Sequence, residues 1–300
     1  MERWGPVCHS ARVDTSRRDA PRSYYGWTRY SAYVPDHRGL AFRATRVFPD
    51  ERAYLDYLWS AQRMATRQQI FLTLSVPLLQ RMRERHDYRH VVTYSPEMPE
   101  PWQSALHEAA QRFDVLDLRP AAEGVITDIM ATDLTERGLS SRKAVWFRVD
   151  DDDLLSADYL DFLDEHVTAH GPDWAVSLAK GVAGVWHDGR LTDLRGTHRP
   201  LGSQGLACIG WWDGTTRELT VPDVGNHSTT DWRMPTVLDS RRATFLQLLH
   251  AGQDTRTQAP PSLAELQRIH QRNKAVVTKP DRVVARFPTI AAVYRPETAG

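Results

Sequence analysis

The chain has 300 residues, 41% of them hydrophobic and 25% charged, the balance of a folded globular protein with room for a deep cleft rather than of a disordered chain. Thirty-eight basic residues offset thirty-eight acidic ones, so no global charge argues for a nucleic-acid partner, and Arg81, Arg83 and Arg85 read as a solvated helix face. Cys8 and Cys208 lie far apart and outside any metal-ligand spacing. With no apolar run near the roughly 20 residues that cross a bilayer and no signal-peptide core, the expected location is a reducing cytoplasm.

Residues 1–22 show no clear period and read as a loosely ordered leader. Ser23 to Tyr33, SYYGWTRYSAY, reads as the first strand, turned afterwards by Pro35 and Asp36. Asp50 can N-cap a helix from Glu51 in which Leu55, Leu58 and Trp59 share a face. A second apolar set, Phe71, Leu74, Leu78 and Met82, continues it, and Pro77 is expected to kink or break that segment. His90 to Ser95 is a strand, Trp102 to Phe113 a helix, Val115 to Leu118 a strand, Gly124 to Arg137 a helix and Ala144 to Val149 a strand apolar on both faces. Alternation of this kind predicts a mainly parallel sheet flanked by helices.

The pattern then changes. A helix over Ala157 to Ala169, N-capped by Ser156, precedes Trp174 to Trp186 and Arg190 to Leu194, which flank a hairpin turn at His187, Asp188 and Gly189. Short β segments around Leu206 to Trp212 and Glu218 to Val221 follow, with helix expected from about Arg241. Pro260 and Pro261 precede a helix from Leu263 to Gln271, and the last twenty or so residues read as a peripheral arm.

Between strand and helix stands Asp150-Asp151-Asp152-Asp153. If the strand continues briefly, Asp150 and Asp152 point one way, Asp151 and Asp153 the other. Converging carboxylates repel unless a cation neutralises them, and Mn²⁺ or Mg²⁺ is commonly held by one or two carboxylates plus substrate phosphates. The competing explanation is an acidic pre-helix turn, favoured by the helix dipole. An EF-hand fails, because its fifth and sixth positions would be Leu154 and Leu155, with Asp161 only a weak substitute at the twelfth. A haloacid-dehalogenase-type phosphatase usually has Gly and Thr or Val where Leu154 and Leu155 stand.

The block FRVDDDDLLSADYLDFL, Phe147 to Leu163, resembles the signature of a bacterial family of rhamnosyltransferase-like glycosyltransferases: Arg, an apolar residue, Asp-x-Asp-Asp, a small-residue turn, then Asp-Tyr or Asp-Phe. In the same order, WTRYS from Trp27, LSVPLLQRM from Leu74, VVTYSPEMPEPWQSAL from Val91 and FLQLLHAGQ from Phe245 to Gln253 are similar to other segments of that family. The chain departs from it at Phe245, where the family has Trp, at Val76 and Pro77, which lack the following Ser, and in an extra stretch between Ser31 and Leu74.

The resemblance implies a GT-A-like nucleotide-diphospho-sugar transferase fold with a nucleotide-binding half, 23–153, and a β-rich acceptor half, 154–255, in one catalytic domain, followed by a C-terminal helix and arm, 256–300. It implies transfer of a sugar from a nucleotide-diphosphate donor to a glycan or other hydroxyl acceptor, with peripheral membrane contact allowed. Mn²⁺ or Mg²⁺ would sit on Asp152, with Asp150 and His250 as further ligands. Arg29 and Arg148 would contact diphosphate, with Asp150, Asp151 and Asp153 beside the donor. Asp231 is the expected catalytic base, against Asp213, Asp223 and Asp239. His227 is a loop alternative to His250, and Trp186, Trp211 and Trp212 are candidates to line an acceptor cleft. Two other readings are a non-catalytic carbohydrate- or nucleotide-binding protein of the same fold and a metal-dependent phosphohydrolase.

Overall fold

The computed structural model describes residues 17–33, 48–121, 125–253, 261–272 and 276–296. Most of the expected leader with Cys8, the turn at Pro35 and Asp36, the helix start at Gly124, Pro260 and the last four residues lie outside the described residues.

In chain order the elements are β1 (Arg22–Arg29), α1 (Glu51–Leu58), α2 (Ala61–Gln68), a π-helical turn (Gln69–Ser75), α3 (Val76–Arg83), β2 (Tyr88–Tyr94), α4 (Glu100–Arg112), β3 (Leu116–Pro120), α5 (Ile126–Glu136) and β4 (Arg142–Arg148). There follow β5 (Asp153–Leu155), α6 (Tyr159–Ala169), β6 (Trp174–Leu178), β7 (Lys180–His187), β8 (Arg190–His198), β9 (Ala207–Asp213), β10 (Glu218–Thr220), β11 (Thr236–Asp239), β12 (Phe245–Leu249), α7 (Leu263–His270) and α8 (Pro280–Arg286).

The main sheet has the order β11-β6-β9-β4-β1-β2-β3, with β10 on β9. Strands β4, β1, β2 and β3 run parallel, while β9 is antiparallel to β4 and β6. Adjacent Tyr24 and Tyr25 point to opposite faces. Tyr24 joins Leu79, Met82, Leu160 and Leu163 of α3 and α6, and Tyr25 joins Ile129, Met130 and Leu134 of α5. Helices therefore cover both faces, as the doubly apolar strands required. The chain steps from β1 to β2 and β3 on one side and returns to β4 on the other. This makes a switch point between β1 and β4, outside whose carboxyl ends open α/β sheets bind ligands.

A second sheet, β5-β12-β7-β8, packs on α8 and the π-helical turn through Leu154, Leu246, Trp186, Ile70, Leu74 and Phe287. The acidic run is the passage between the sheets: β4 belongs to the first, and β5, beginning at Asp153, pairs antiparallel with β12 in the second.

Several local expectations change. Pro77 does not break its helix. It sits in the first turn of α3, after a π-helical stretch whose wider turn relieves the clash a proline ring makes with the carbonyl four residues earlier. The segment after Arg241 is strand rather than helix, because Phe245–Leu249 pairs parallel with β7. Helix α6 begins at Tyr159 behind Asp158, and Ser156 spends its hydroxyl on Asp158 at 2.7 Å instead of capping. Asp50 caps α1 as expected, accepting from Ala53 N–H at 2.8 Å. Among the described residues no helix is long and apolar enough to cross a membrane.

Candidate functional site

A cleft of about 610 Å³ opens at the switch point. Strand β1 delivers Arg29 and, just beyond its end, Ser31. Strand β4 delivers Arg148 and the run Asp150 to Asp153. Helix α2 supplies Arg63 and Arg67, and Arg199, Gln204, Gln247 and Arg272 close the far side. Six arginines thus face at most four carboxylates, so the cleft is a net cationic basin.

The strand does not continue through the aspartates. Asp153 N–H bonds back to Asp150 C=O at 3.1 Å, closing a turn, so the expected alternation fails and each carboxylate takes a different environment. Asp150 is half-exposed and leans on Arg148, 3.3 Å away. Asp151 is buried, ion-paired to Arg67, and accepts from Ser31 N–H at 3.0 Å and Ser31 Oγ–H at 3.2 Å. Asp152 is buried between Arg67 Nη2 at 3.0 Å and His250 Nε2 at 3.1 Å. Asp153 turns to the opposite wall, where Gln204 Nε2 donates to it at 2.9 Å.

These differences separate the titrations. Burial opposes charge on Asp152, but Arg67 and the His250 hydrogen bond outweigh it and hold the carboxyl well below the usual carboxylate range. Asp153 has burial and the charges of Asp152 and Asp150 against it, and only Gln204 and Arg199 oppose them, so it is pushed well up. Burial lowers His250, and its Asp152 bond compensates only in part. His250 Nδ1 accepts Gly252 N–H at 3.1 Å, so the neutral ring carries its proton on Nε2, facing Asp152.

The structure therefore joins Asp152 and His250, brings Arg29, Arg148, Asp150, Asp151 and Asp153 to the same cleft, and directs Asp150 away from the expected metal pair. Asp231 does not reach the cleft: it is exposed on the 3-10 turn His227–Trp232, and Asp213, Asp223 and Asp239 line the cleft no more than it does. His227 lines a shallow hollow beside Arg199 and Gln204. Trp212 is core, its Nε1 donating to Leu139 C=O at 2.9 Å, and Trp211 lies under Arg17. Trp186 lines an adjoining cavity of about 430 Å³ that is also lined by His250 and shares Arg63 with the cleft.

Sequence reasoning missed Ser31, Arg63, Arg67, Gln204 and Gln247. The arginines did leave a signal, since Arg63 and Arg67 stand four apart and so share one helix face.

Residues 25–262 match the family described as "Putative rhamnosyl transferase". The chain belongs to the rhamnosyl transferase family. That match spans both sheets, the acidic turn and His250. Among solved structures, S. aureus TarS 1-349 in complex with UDP-GlcNAc is 11% identical, with 83% of this chain covered and a TM-score of 0.39; the match spans 65% of that 1-349 chain. 4-Diphosphocytidyl-2C-methyl-D-erythritol synthase is also 11% identical, with 83% of this chain and 98% of that one covered and a TM-score of 0.34. No curated protein matches the chain.

Proposed function

We propose that the protein is a glycosyltransferase whose cleft seats the diphosphate of a nucleotide-sugar donor. The observation that carries this is the set of arginines gathered at the carboxyl ends of β1 and β4 in a chain of this family. Guanidinium forks match phosphate oxygens. In transfer, an acceptor hydroxyl oxygen bonds to the anomeric carbon as the bond from that carbon to the β-phosphate oxygen breaks, and the hydroxyl proton passes to the departing diphosphate or to water. The diphosphate leaves with added negative charge, which Arg29 and Arg148, both lining the cleft, stabilise. The acceptor, a glycan or other hydroxyl compound, enters from the adjoining cavity lined by Trp186, Tyr57 and Gln69.

Asp152 and His250 are the residues that would hold Mn²⁺ or Mg²⁺. Their facing atoms, Asp152 Oδ2 and His250 Nε2, are 3.1 Å apart, and Arg67 Nη2 lies 3.0 Å from the same oxygen, so a cation would share Asp152 with Arg67. Among the described residues no three His, Cys, Asp or Glu side chains form a complete cage, so such an ion would take its remaining ligands from water and phosphate. Its chemistry would be neutralisation of the leaving diphosphate. A cation on His250 Nε2 also requires that proton to move to Nδ1 and the Gly252 N–H to let go.

Thermal unfolding with UDP, dTDP, GDP and CDP, each with and without Mn²⁺, tests the reading. One nucleotide is expected to stabilise the protein, by about 2.7 kcal/mol at a hundredfold excess over Kd, and Arg148→Met to diminish that shift. Loss of the Mn²⁺ contribution in Asp152→Ala assigns the ion to Asp152. No stabilisation by any nucleotide, with or without Mn²⁺, would sink the transferase reading.

A further inference from the structure

On one wall of the cleft, three side-chain oxygens have no hydrogen-bond partner among the described residues: Asp153 Oδ1, Gln204 Oε1 and Gln247 Oε1. All three side chains line the cleft. Asp153 is 3% exposed. Its other oxygen is occupied by Gln204 Nε2 at 2.9 Å, and Gln247 is its direct cross-strand partner in the β5–β12 ladder. Opposite residues in such a ladder hold their side chains about 5 Å apart. Gln204 arrives from the loop before β9, where the next residue, Gly205, donates its N–H to Arg148 C=O at 2.8 Å. Three separate stretches of chain thus build one wall.

Buried acceptors without partners are uncommon in native proteins, and each calls for an explanation. Three together call for one ligand. Amide oxygens require donors, and a carboxyl oxygen accepts when ionised and donates when protonated. Hydroxyl groups suit the wall best, because each donates to an oxygen while accepting from an amide N–H. In a cleft that takes a nucleotide-sugar, hydroxyls come from two sources, the ribose and the pyranose to be transferred.

We infer that Asp153, Gln204 and Gln247 form the subsite that reads vicinal hydroxyls of the donor. This rests on the donor cleft proposed above and adds the residues that select what sits in it. Gln247, on β12 three residues before His250, places this wall on the strand that carries His250 to Asp152. The group that recognises the sugar and the group that meets the acidic turn are therefore set by one strand.

Gln204→Met and Gln247→Met keep side-chain length and remove the amide. Titration calorimetry with UDP, dTDP and GDP, and with UDP-glucose, dTDP-rhamnose and GDP-mannose, is run on the wild-type protein and both variants. Each variant is expected to bind the preferred nucleotide-sugar about tenfold more weakly. If the matching nucleoside diphosphate alone binds with unchanged affinity, the wall reads the pyranose; if it weakens equally, the wall reads the ribose. Wild-type affinity for every ligand in both variants overturns the inference while leaving the donor cleft intact. A wild-type protein that binds none of the six removes the donor cleft, and this subsite with it. Should a Met variant not fold, Gln247→Asn, which withdraws the amide by one methylene, is expected to give the same weakening, and wild-type affinity in it overturns the inference.

Discussion

Arg67→Met is expected to lower the unfolding free energy at neutral pH by about 3–5 kcal/mol, the cost of leaving buried charges without their partner. Arg67 is itself buried and bridges Asp151 and Asp152, both buried, so its removal strands two carboxylates in a region water barely reaches. Ser31 still donates twice to Asp151 and His250 still donates to Asp152, which keeps the loss from being larger. Arg148→Met is the control. Arg148 is partly exposed and its pair with half-exposed Asp150 is 3.3 Å long, so its removal should cost no more than about 1 kcal/mol while still weakening nucleotide binding. Urea unfolding of both variants decides the matter: a loss below about 1 kcal/mol for Arg67→Met would show that the acidic turn does not depend on it.

Acid is expected to destabilise the protein through His90, from a pH above the range in which ordinary carboxylates titrate. The imidazole is fully buried; Tyr88 Oη–H donates to Nδ1 at 2.6 Å, and Nε2–H donates to Thr28 Oγ1 at 2.8 Å. Thr28 then spends its own proton on Val149 C=O at 2.8 Å, which fixes that direction of donation. No second proton fits, and burial pushes the imidazole from 6.5 down to about 3. Between those values the unfolded chain binds a proton that the native protein refuses. The stability contributed by His90 is complete above pH 6.5 and drains as pH falls, by up to about 1.4 kcal/mol per unit. His90→Gln removes that slope. Urea unfolding at pH 7, 6 and 5 should show wild-type stability falling relative to the variant, by about 2 kcal/mol by pH 5; parallel curves would mean that His90 accepts its proton in the folded state. Gly26 is part of the same packing, since a Cβ there would strike the His90 ring and the Tyr88 hydroxyl.

Much of the fold could be read from residues alone where the signal was local. Alternating strands and helices, the Asp50 cap and the hairpin around His187 to Gly189 depend on nearest neighbours, and the structure has them. Phe245–Leu249 was legible only as a mainly apolar run: four such residues around Gln247 pack equally well as helix or strand, and the edge of β7 decided for strand. The aspartates were found by their density, but their directions were not, because one backbone turn cancels the alternation of an extended chain. Arg63 and Arg67 were missed for a different reason. A charged residue is by default a surface residue, and only the arrival of Asp151, 84 positions later, makes burial of Arg67 tolerable.

The π-helical turn has an evolutionary consequence. A π-turn is one residue surplus to an α-helix, which advances about 100° per residue. Because it lies between Arg67 and the apolar face of α3, that surplus sets the angle at which the arginines meet the acidic turn. Substituting one arginine removes the contacts of that side chain alone, but a deletion of a single residue here would swing both away together. Variation in length, more than in composition, is what this part of the chain is least free to accept.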